Sequence, residues 1–108
     1  MKTKFIHLGI PLNYKLPNMT YIEALKIWVT NPNDDEYKIE YLYFEDGNPF
    51  PLIMQKQSHI AYQVNNIESC LGNGEVIVEP MSISSIVRIA FIIKDGIIFE
   101  LYEEKQGT

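Results

Sequence analysis

The chain has 108 residues, 46% of them hydrophobic and 21% charged, with a formal net charge of −5. That length is expected to hold one domain around one hydrophobic core, and no apolar run is long enough to predict a membrane-spanning helix. Eight lysines and one arginine, Arg88, are scattered along the chain, so neither nucleic acid nor an anionic membrane surface is an expected partner.

The opening MKTKFIHLGIPLNY has no long apolar h-region and no small-residue cleavage site, so no signal peptide is expected. The lone cysteine, Cys70, cannot form an internal disulfide and reads as a small buried hydrophobe. Both features fit a cytoplasmic location. Residues 4–12 read as a strand closed by Pro11 and a loop over 13–18. Residues 19–24 are compatible with a helical turn or with an extension of the next strand. Residues 25–30 (LKIWVT) and 37–45 (YKIEYLYFE) have β-branched and aromatic composition and flank the polar turn NPNDDE, which predicts a hairpin. A connector with Gly47, Pro49 and Pro51 follows. Residues 59–64 (HIAYQV) form the next predicted strand. Asn65 and Glu68 have capping-box spacing, which predicts a short helix over 66–71 ended by Gly72. Residues 75–79 are strand-like. Residues 86–94 and 97–103 flank Asp95–Gly96, the strongest short hairpin signal.

The two halves resemble each other. The histidine of FIHLGI matches that of QSHIAY, and the glutamate of IEYLY matches that of FELYE. His7 and His59 therefore take equivalent places on the first strands of the halves, and Glu40 and Glu100 on the last strands. Each interrupts an apolar strand, where an unpaired carboxylate is costly to bury. A divalent cation relieves that cost for all four together. Two imidazoles and two carboxylates suit Zn, Ni, Co, Mn or Fe without selecting one. Four protein ligands leave room for water or a small-molecule substrate.

These motifs resemble the vicinal oxygen chelate superfamily, the glyoxalase-like proteins. HLGI at 7–10 and HIAY at 59–62 match the family's ligand-bearing strands, and VRIAFIIKDGIIFELYEE at 87–104 matches its closing hairpin. The resemblance implies an α+β fold of two βαβββ-type modules, about 1–55 and 56–108, forming a cup-shaped, mostly antiparallel sheet. Too few residues separate His7 from Glu40 for a full module, so the first helix is expected to be shortened or absent. The implied metal ligands are His7, Glu40, His59 and Glu100, with Glu45 as the fallback for Glu40. The implied chemistry is chelation of two adjacent oxygens and enediolate stabilisation in a lyase or isomerase, with Glu100 or Glu40 as the base. The same ligands, as His7, His59 and Glu100 around Fe, suit an extradiol-type dioxygenase. The superfamily also contains proteins that sequester small molecules without catalysis. Arg88, Tyr41 and Tyr102 are secondary candidates for substrate contact, and Tyr43 and Tyr62 for lining the cup. Exposed sheet edges and apolar faces make a homodimer the expected assembly.

Overall fold

The computed structural model describes residues 3–105. It contains eight strands and three short 3₁₀ turns: β1 (Thr3–Leu12), β2 (Thr20–Ile22), β3 (Ile27–Val29), β4 (Ile39–Phe44), β5 (His59–Val64), β6 (Glu75–Ser82), β7 (Val87–Lys94) and β8 (Ile97–Glu104). No α-helix occurs among the described residues. The fold is predominantly β; the mostly β sheet expected from the sequence is present, and the helical part of the expected α+β class is not seen among the described residues. None of its helices is long and apolar enough to cross a membrane. The chain divides into two compact units, residues 7–59 and residues 60–108 with 1–6.

In the unit of residues 7–59 the strand order is β2-β3-β4-β1. The expected hairpin is present: β3 runs antiparallel to β4, with Trp28 opposite Tyr43. The polar turn between them is built by its own side chains. Asn31 Oδ1 accepts from the Asn33 amide at 2.9 Å, and Asp35 Oδ1 accepts from the Tyr37 amide at 2.8 Å. These are the short-range bonds that make Asn and Asp turn formers. Residues 19–24, left open by the sequence, hold the three-residue strand β2 and a turn into β3. Strand β4 then pairs in parallel with β1, Gly9 opposite Glu40. Alternation along β4 puts Glu40, Leu42 and Phe44 on one face, and Leu42 and Phe44 are buried. Phe50, 5.7 Å from Phe44 between ring centroids and nearly perpendicular, extends this core. The loop between β1 and β2 holds no helix.

In the other unit the order is β5-β8-β7-β6. Each unit thus arranges its strands in the sequence first, fourth, third, second. That shared internal topology is the structural counterpart of the thin sequence repeat. Asp95 and Gly96 take positive φ of 54° and 78°, as a two-residue hairpin turn with the strands' own twist requires. The turn sets the register of β7 on β8 from Lys94 opposite Ile97 to Val87 opposite Glu104. One face of this sheet buries Val64, Ile67, Cys70, Ala90, Ile92 and Leu101.

The helix predicted over 66–71 is absent. Its place is taken by a turn and a 3₁₀ segment, Leu71–Asn73. The cap falls one residue later than expected: Asn66 Oδ1 accepts from the Ser69 amide at 2.9 Å. Glu68 does not fold back to complete a capping box. Both its oxygens accept from Arg88, at 2.8 and 2.9 Å. A helix of six residues is too short to hold itself, and the charge-assisted pair wins. Gly72 is not what ends the segment, because a side chain there would meet open space. Gly74 is the constrained position, since a Cβ would press on the Ile93 carbonyl at 2.5 Å.

Candidate metal centre

His7 and Gly9 share one face of β1, and both are buried. Parallel pairing of β1 with β4 sets Glu40 directly beside Gly9 on that face. His59 opens β5 and is 1% exposed. Its imidazole lies over the bare α-carbon of Gly9, where any Cβ would collide with ring atoms Cε1, Nε2 and Nδ1. Glycine is needed here for close approach rather than for an unusual backbone angle. The His7 and His59 rings stand edge to face with centroids 5.7 Å apart.

The result is a group of three possible ligands, His7, Glu40 and His59, each offering one atom within 4.8 Å of the others. His7 Nε2 stands 3.2 Å from Glu40 Oε1. A first-row divalent ion holds N and O ligands at about 2.0–2.2 Å, so adjacent donors around it stand about 3–3.5 Å apart. The His7–Glu40 separation already lies in that range, and small rotamer adjustments bring in the third donor. The donor set, two neutral nitrogens and one carboxylate with the rings almost entirely buried, therefore fits such an ion.

The other expected site residues fall as follows. Glu100 belongs to the unit of residues 60–108, where it is buried on β8, and it is not among the three grouped residues. Tyr102 shares its face of β8 by alternation. Burial pushes the Tyr102 phenol upward, reinforced by the charges of Glu104 and Glu100. Tyr41, a secondary candidate for substrate contact, lies on the face of β4 opposite Glu40. Glu45 is engaged elsewhere: Trp28 Nε1–H and the Tyr21 hydroxyl each donate to it at 3.0 Å. Those two donors, Trp28 first, hold the Glu45 carboxyl below the usual range, so the fallback ligand is set aside. Arg88 is also committed. Besides Glu68 it donates to Glu103 Oε1 at 2.8 Å, and Glu103 in turn accepts from the Ile67 amide at 2.9 Å. Its guanidinium ties the 66–73 segment to β8, so the secondary candidate for substrate contact is held in ion pairs here.

Two features escaped the sequence reading. The steric role of Gly9 depends on a residue fifty positions away in the chain and has no local signal. The Tyr21–Trp28–Glu45 clamp joins three strands or strand ends, and only the hairpin that brings Trp28 beside β4 hinted at it.

No family model matches this sequence, and no curated protein matches it. Among solved structures the chain is similar to the hypothetical protein BH1468 from Bacillus halodurans C-125. The TM-score is 0.70 at 22% identity, over 100% of this chain and 99% of that one. That likeness extends to the fold.

Proposed function

We propose that this protein is a glyoxalase-like member of the vicinal oxygen chelate superfamily, a metal-dependent lyase or isomerase acting on a small oxygenated metabolite. The observation that carries this reading is the convergence of His7, Glu40 and His59 within 4.8 Å. The common strand orders β2-β3-β4-β1 and β5-β8-β7-β6, with His7 on β1 and His59 on β5, support a pair of modules in which the helices have given way to turns. His7 and His59 would hold the ion. When bound, a divalent ion supplies Lewis acidity to two neighbouring oxygens of a substrate and so eases removal of a proton from the adjacent carbon. Glu40 is the carboxylate placed to accept such a proton at Oε1 or Oε2 and to return it. The buried imidazoles limit water at that face, which strengthens each charge interaction there.

Metal analysis of the purified protein followed by calorimetric titration with Zn, Ni, Co, Mn and Fe(II) tests the reading. About one ion per site is expected, and His59→Ala should abolish it. Glu100→Ala in the same titration tests the ligand role expected of that residue. If no ion binds, the enzymatic reading fails and a non-catalytic small-molecule carrier takes its place. The grouped residues are also a two-histidine, one-carboxylate set, which favours Fe(II) oxygen chemistry as a second reading. Oxygen uptake with catechols distinguishes it from proton transfer on α-keto hemithioacetals. The assembly we propose is a homodimer, and light scattering after size exclusion checks it.

A further inference from the structure

The unit of residues 60–108 carries a second feature, unrelated to the histidines. A cavity of about 250 Å³ opens between the sheet and the 66–73 segment. Its floor is the buried apolar set Val64, Ile92 and Leu101. Tyr62 and Phe99 form one wall, their rings tilted by 35° with centroids 6.1 Å apart. Phe5, 45% exposed, continues that row at 6.1 Å from Tyr62 in an edge-on contact. The opposite wall comes from the 66–73 segment, through Cys70 and Asn73. The Arg88 ion pairs with Glu68 and Glu103 hold that segment on the sheet, so this wall stands ready before anything enters. Among the described residues the rim has one cation, Lys94, and the lining contains no carboxylate. Lys94 Nζ lies 3.2 Å from Asp95 Oδ2, but both groups are exposed, and such a pair exchanges partners readily.

We infer that this cavity is a binding site for a small aromatic anion, with its ring system on the Tyr62–Phe99 wall and its acid group at Lys94. The volume lies just below the usual range of ligand pockets, which limits the ligand to one or two fused rings. Offset and edge-on ring contacts suit the quadrupoles of the wall, and Lys94 with the Asn73 amide supplies the matching donors.

Titration with 2-naphthoate and its neutral isostere 2-naphthamide, followed by amide chemical shifts, tests the site. We expect saturable shifts centred on Val64, Asn73, Ile92 and Leu101, identical after treatment with a chelator. Naphthoate should bind about threefold tighter than the amide, and Lys94→Gln should erase that preference. Phe99→Ala should weaken both probes about tenfold. If that variant fails to fold, the exposed Lys94→Gln carries the test. Absence of saturable shifts, shifts centred elsewhere, or equal affinity of the two probes in the unaltered protein would overturn the assignment. So would self-association that covers these amides without any probe.

Discussion

At the scale of single residues, Gly9 decides whether the candidate centre exists. Its missing side chain makes the space that the His59 ring fills, and its register on β4 brings in Glu40. Gly9→Ala should therefore displace His59. Chemical denaturation should show a loss of about 1–3 kcal/mol, the usual range for overpacking a core, and calorimetric titration should show metal affinity reduced by more than tenfold. Glu40→Gln keeps the shape but removes the charge, so it should weaken metal binding with little change in the apo protein's unfolding midpoint. Both histidines and the glutamate were legible in the sequence because each breaks an apolar strand. That Glu40 shares its face with the buried Leu42 and Phe44 was not, since alternation gives two faces without saying which carries the core.

At the scale of elements, the closing hairpin and the 66–73 segment behave differently. Asp95–Gly96 could be read directly because its turn depends on two adjacent residues with positive φ. Gly96→Ala should cost about 1 kcal/mol in urea unfolding, the penalty of a Cβ in the left-handed region. The 66–73 segment was misread because a partner distant in sequence, Arg88, captures the glutamate that local rules assign to a cap. This capture has a pH signature. Hydrogen bonds from Arg88 lower Glu68 from 4.5 to about 2, and Glu103 is lowered mainly by the same guanidinium. Carboxyls depressed in the folded state stabilise it fully above about pH 5, and this contribution is lost as pH falls from 4.5 towards 2. Urea midpoints measured across that window should decline in the unaltered protein, and Arg88→Gln should flatten the decline.

At the scale of the whole molecule, the proposed metal binding would be coupled to folding, because the candidate ligands come from β1, β4 and β5, which an unfolded chain does not hold together. Any ion that binds the folded state alone adds RT ln(1 + [L]/Kd), about 2.7 kcal/mol at a hundredfold excess over Kd. Thermal scans should therefore show a rise in Tm of several degrees with the preferred ion. A chelator should reverse it, and His59→Ala should not show it. An unchanged Tm across all five ions would point to the carrier reading instead.

Strand positions, the two hairpins and the repeated histidine–glutamate pattern were determined by the sequence itself, because they follow from side-chain periodicity and from the conformations that a few adjacent residues permit. Tertiary structure alone decided three other things: that β1 pairs in parallel with β4, that Gly9 makes room for His59, and that Arg88 replaces a helix cap with an ion pair. Each is a contact between residues distant in the chain. Its energy depends on packing and burial, which no local pattern encodes.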